Sequence, residues 1–141
     1  MFDRILQEGF YCYKYKDTID NSQTIEFTFW ECENDVFTVE MEIYSKRKKK
    51  SSQFLETTGK CGIKGLLLAR LVLKCFIEFL EETTPIGKSK RIVIGASDNQ
   101  RNRIYKHYLS RLGFKYDRMP IVGGGMGMCL SVVGKKVIDV F

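Results

Sequence analysis

A chain of 141 residues with 44% apolar content is enough for one hydrophobic core, so a single domain spanning 1–141 is expected. The formal charge of +6 turns it toward acidic or phosphate-bearing partners. Five scattered cysteines (Cys12, Cys32, Cys61, Cys75, Cys129) without a CxxC pair argue against a disulfide frame or zinc site and for reduced thiols in the cytoplasm, and a single histidine, His107, makes a histidine metal centre or a Ser-His-Asp triad a poor expectation.

The opening "MFDRILQEGF" carries acids and no long apolar stretch, so it does not read as a secretory leader. Residues 1 to 9 are expected to form a short helical or irregular lead-in. "FYCYKYK" alternates and suggests a strand. "TIEFTFWECEN" sets Ile25, Phe27 and Phe29 on one face, with Glu26 and Thr28 opposite. "VFTVEMEIY" repeats the pattern with Phe37, Val39, Met41 and Ile43 against Thr38, Glu40 and Glu42. A period of two marks half-buried strands, and the turn formers of "ENDV" predict that these two pair as an antiparallel hairpin. The basic run "SKRKKKSS", Ser45 to Ser52, reads either as a solvated loop or as a surface for phosphate-bearing partners. "SQFLETT" is expected to add another short strand.

"TTGKCGIKGLLLARLVLKCFIEFLEE" begins as a glycine-punctuated turn and continues as a helix from Gly65 to Glu82. Arg70, Lys74 and Glu78 recur every fourth residue, giving one narrow polar stripe on a broad apolar surface. Those charges also exclude a membrane span. Pro85 stops the helix. "RIVIGAS", Arg91 to Ser97, reads as a buried strand, and Ser97 or Asp98 as the N-cap of the next helix. In "RNRIYKHYLSRLGF", Ile104, Tyr105, Tyr108, Leu109 and Leu112 share one side, and Arg101, Arg103, Lys106 and Arg111 the other. Gly113 is placed to end this helix and Phe114 to start a strand. "MPIVGGGMGMCLSVVGKKVIDVF" offers two strands joined through glycine-rich turns. "VGGGMGM" follows a strand without opening a helix, so it reads as a hairpin turn and not as a phosphate loop. This order of elements predicts an α+β or mixed α/β sandwich with a helix-strand-helix crossover in its second half.

The turn "GKCGIKG", Gly59 to Gly65, the covered helix after it, and "SDNQRNRIYKHYLSRLGF" with its closing Leu-Gly-Phe together resemble the GCN5-related N-acetyltransferase (GNAT) family from Val36 to the C-terminus. The resemblance implies one GNAT-like domain, a central, mostly antiparallel twisted sheet flanked by helices. It implies acetyl transfer from acetyl-CoA to an amine by direct attack, with acetyl-CoA as co-substrate and no metal. The backbone amides of Lys60, Cys61, Gly62, Ile63, Lys64 and Gly65 would then meet the pyrophosphate at a helix N-terminus, with added charge from Lys60 and Lys64. Phe54 and Leu55 would pair with the pantetheine arm, and Asn99 and Asn102 would stand beside the cofactor where the second helix opens. Amine transfer needs a base and an acid. Tyr105 and Tyr108 are the acid candidates, and Glu40, Glu42 and Glu56 the base candidates. The alternative is a catalytically inactive protein of the same kind. It would hold a protein or nucleic acid through the Lys46–Lys50 loop and the face carrying Arg101, Arg103, Lys106 and Arg111. A third expectation is a small structural protein with no ligand. The amine's size and the oligomeric state are left open.

Overall fold

Period-two patterning builds a long antiparallel meander. In the computed structural model, which describes residues 2–20, 23–45, 49–52, 58–95 and 100–138, the strands β1 (Asp3–Gln7), β2 (Phe10–Asp20), β3 (Gln23–Cys32) and β4 (Val36–Ser45) each pair antiparallel with the next. Glu8 and Gly9 join β1 to β2, both at positive φ (52° and 83°), the geometry of a two-residue turn whose twist matches that of the strands. The predicted "ENDV" hairpin forms, with Cys32 opposite Val36 and Asn34 in left-handed conformation at φ 62°. β5 (Lys49–Ser52) folds back on β4. Then come α1 (Thr58–Thr83), β6 (Ser89–Gly95), α2 (Gln100–Arg111), β7 (Lys115–Arg118) and β8 (Met126–Val133). The sheet order is β1-β2-β3-β4-β6-β8-β7, with β5 beside β4. β4 and β6 run parallel, and every other strand pairing among the described residues is antiparallel.

One face of the sheet packs against α1. Ile25, Phe27, Phe29, Phe37, Met41, Ile92, Ile94 and Met128 meet Ala69, Val72, Leu73, Phe76 and Leu80 in one core cluster. Phe76 is its hub: its ring stacks on Phe29 at 3.8 Å between centroids, and Phe2, Phe37 and Tyr13 surround it at 5.2, 5.4 and 5.7 Å. The predicted stripe of Arg70, Lys74 and Glu78 is exposed, and Leu67 and Leu71 are exposed beside it, so the covered face is narrower than the apolar pattern suggests. α2 ends as expected. Gly113 stands at φ 102°, its amide bonds Ser110 O at 3.1 Å, and the Phe114 amide bonds Leu109 O at 3.1 Å, a paired closure that glycine permits.

The predicted α+β layout, a GNAT-like sheet flanked by helices, is overturned by this architecture. Strands dominate: eight of them form one sheet, and a single long helix of 26 residues covers its apolar face. The reason lies in the N-terminal stretch, where the expected lead-in over residues 1 to 9 is instead β1, tied to β2 by the tight turn. Pairing with β2, and not a pattern of its own, makes that stretch a strand. The glycine turn is also corrected, because Gly59 to Gly65 lie inside α1. Each glycine costs a helix roughly 1 kcal/mol relative to alanine. With no proline nearby, and with apolar residues downstream that need covering, packing outweighs that cost. Of the two strands expected between Met119 and Phe141, one forms among the described residues, β8, and beyond it Lys136 makes an isolated bridge to Pro85.

Candidate functional site

The sheet forks between β4 and β6. Their parallel pairing covers only Val36–Thr38 against Arg91–Val93. β3 holds the other edge of β4 along its whole length, so β5, which pairs with Met41 to Tyr44, lies on the same edge as β6. Between these two partners, Val39 and Glu40 have no ladder partner on that edge among the described residues. Beside them is a cavity of about 240 Å³ lined by Thr38, Val39, Val93, Ile94 and Gly95, with Met119 and Ile121 from the β7–β8 loop.

Cross-strand register assembles a polar surface on the face turned away from α1. Glu26 stands between Lys16 and Glu42, Thr28 between Lys14 and Glu40, and Trp30 between Cys12 and Thr38. Glu26 is only 3% exposed, and a buried carboxylate must be compensated. Lys14 Nζ lies 3.5 Å and Lys16 Nζ 3.1 Å from it, and the Tyr44 hydroxyl 3.2 Å. Lys16 is largely exposed, so water screens its share. The Tyr44 hydroxyl also donates to Glu42. Burial pushes the Tyr44 phenol well above its ordinary range, and the Glu42 hydrogen bond and the nearby Glu26 charge add to the effect. At the fork itself, Trp30 Nε1 donates to Glu40 Oε2 at 2.9 Å and so orients that carboxylate. The arrangement can accept a proton or hold a cationic amine beside a strand edge that is unpaired among the described residues.

Of the predicted base candidates, Glu40 and Glu42 fall together on this face, while Glu56 lies outside the described residues. Phe54, Leu55 and Asn99 also lie outside them. Lys60 to Gly65 are on α1 and Asn102 and Tyr105 on α2, placed by their backbone alone. A helix starting at Thr58 leaves the amides of Thr58, Gly59 and Lys60 without intrahelical partners and spends those of Cys61 to Gly65 on carbonyls one turn earlier. The amides expected to face an anion thus reduce to that of Lys60, joined by Thr58 and Gly59. Tyr108 is half-buried on α2, with the His107 ring at 6.1 Å and the Arg111 guanidinium 5.9 Å from its ring centre. In the basic run, Lys46, Arg47 and Lys48 lie outside the described residues, and Lys49 and Lys50 are on β5. Sequence reading missed Glu26, Trp30 and Tyr44 as site residues. Their signal is the register: once β3 and β4 pair as a hairpin, the polar positions of both strands must share a face.

Two larger cavities flank this centre. One of about 850 Å³ runs between the β1–β2 turn, the β3–β4 turn and the β7–β8 loop, over Phe10, Trp30, Met119, Pro120, Ile121 and Val122. Another of about 510 Å³ is lined by Arg91, Lys115 and Arg118 together with Asp117 and Cys129. Burial raises the Cys129 thiol, and Asp117 adds to the effect. Among the described residues no group of histidine, cysteine or acidic side chains can hold a metal ion, and no helix is long and apolar enough to cross a membrane. Comparison with family models, with curated proteins and with solved structures gives no match for this chain.

Proposed function

We propose that the protein is an acyl-CoA-dependent N-acyltransferase that moves an acetyl group from acetyl-CoA to an amine at the fork between β4 and β6. The observation that carries the reading is the parting of these strands after Thr38 and Val93, with the oriented carboxylate of Glu40 beside the gap. The amide-bearing pantetheine arm is extended, and the edge at Val39 and Glu40, unpaired among the described residues, offers it main-chain partners as a β-strand would. The free amides of Thr58 to Lys60 at the positive end of α1 suit a pyrophosphate. The amine nitrogen attacks the thioester carbonyl, the new N–C bond forms, and the C–S bond breaks. Glu40 takes the proton released by the amine, and Tyr108 or Tyr105 supplies one to the departing thiolate. Scattered, unpaired cysteines fit a cytoplasmic site of action.

One observation favours a second reading. α1 absorbs the Cys61 to Gly65 amides, while Arg91, Lys115 and Arg118 line a cavity of about 510 Å³. A catalytically inactive protein that holds an anionic partner, a nucleic acid or an acidic protein, is built from the same features. Thiol release from acetyl-CoA, followed over a panel of amines, separates the two. On the first reading turnover occurs, and Glu40→Gln lowers it about 100- to 10,000-fold while acetyl-CoA still binds. Absence of turnover together with salt-sensitive retention on nucleic acid selects the second reading.

A further inference from the structure

The cavity of about 850 Å³ adjoins the fork, sharing Met119 and Ile121 with the smaller cavity there, but the acyl-transfer reading makes no use of its volume. It lies near the upper end of volumes typical of ligand sites. Its floor and far wall are apolar: Phe10, Trp30, Met119, Pro120, Ile121 and Val122. Phe10 is 62% and Val122 99% exposed, and large apolar side chains gathered in one exposed trough mark a surface meant to be covered. Three carboxylates, Glu8, Glu31 and Glu33, line the same trough on a chain whose net charge is +6. Arg4 holds Glu31 at 2.8 Å, which leaves Glu8 and Glu33 as exposed charges at the two hairpin turns.

We infer that this trough is a docking groove for a linear peptide segment that alternates basic and apolar side chains. The apolar positions sit against Ile121, Val122, Met119 and Pro120. The basic ones reach Glu8 and Glu33, their alkyl stems lying along the apolar wall and their charges facing Phe10 and Trp30. Charge complementarity selects the occupant. The overall positive field of the chain repels a cationic peptide, so such a peptide gains only where local carboxylates reverse the sign. An anionic apolar peptide has the opposite preference, welcomed by the molecule as a whole and opposed at this site.

Trp30 is the one tryptophan in the sequence and lies in the groove, so its emission reports occupancy directly. The full chain is titrated with a tryptophan-free decapeptide of alternating lysine and leucine, and in parallel with its glutamate–leucine counterpart. The lysine peptide is expected to shift Trp30 emission saturably, with an affinity that weakens as salt is added. The glutamate peptide is expected to leave it unchanged. The double variant Glu8→Gln/Glu33→Gln alters two exposed residues and is expected to weaken binding about three- to tenfold. Val122→Ser, at a fully solvated position, is expected to weaken it further without changing the melting temperature. No emission change with the lysine peptide, equal binding of the glutamate peptide, or unaltered affinity in the double variant each overturns the inference.

Discussion

Phe76→Ala tests how α1 is held to the sheet. Phe76 is fully buried, stacked on Phe29 at an interplanar angle of 12°, with Phe2 and Phe37 edge-on to it. A phenylalanine buries about 150–250 Å², which at roughly 25 cal/mol per Å² corresponds to about 4–6 kcal/mol. Alanine retains part of that, and the surroundings collapse only partly into the space left. The expected loss is therefore about 3–5 kcal/mol, the range found for large-to-small aromatic truncations in cores. With a urea slope near 2 kcal/mol per molar, a loss of 4 kcal/mol moves the unfolding midpoint by roughly 2 M. Phe76→Leu keeps most of the volume but loses the stacking, and should give up about 1–2 kcal/mol. Urea unfolding followed by far-UV circular dichroism measures both variants on one scale. If Phe76→Ala costs less than about 1 kcal/mol at unchanged slope, α1 does not seat on this face and the core described above is wrong.

Other consequences can be checked in the same assay. A β-carbon at Gly134 would stand 2.2 Å from the Pro85 carbonyl oxygen and 2.4 Å from that of Thr84, so Gly134→Ala should cost about 1–3 kcal/mol by forcing backbone apart. The Tyr44 phenol titrates higher folded than unfolded, as do Tyr13 and the Cys12 thiol, in each case mainly through burial. The native state therefore holds protons that the unfolded chain releases, and stability present below the ordinary titration of each group is lost as pH rises through its folded value. The urea midpoint should fall from about pH 9 upward, and Tyr44→Phe should flatten that fall above about pH 10, the ordinary phenol value.

Much of the sheet was legible because alternation has only one structural meaning over seven or more residues. Ile25, Phe27 and Phe29 face α1, and "ENDV" turns the chain as read. Gly113 was equally clear, since a helix with one apolar side that ends before a glycine leaves few other closures. The lead-in was misread because Asp3 to Gln7 is too short and too exposed to alternate cleanly; the register with β2, not its own pattern, makes it a strand. Gly59 to Gly65 were misread for a different reason. Three glycines weaken a helix without forbidding it, and the burial that decides the matter involves residues far away in sequence. Site residues were hardest. Glu40 and Glu42 were visible as polar strand positions, but Glu26, Trp30 and Tyr44 join them only through pairing between strands, and the fork depends on where β6 stops following β4.

The proposal of acyl transfer stands on that fork accepting a thioester. A nitrogen-15 amide-shift titration of the full chain with acetyl-CoA tests it most directly. The largest movements are expected at Val39 and Glu40, at Val93 to Gly95 along the cavity wall, and at Thr58 to Cys61 at the start of α1. Spectra that stay unchanged at millimolar acetyl-CoA, or shifts confined to the surface of Arg91, Lys115 and Arg118, would contradict it.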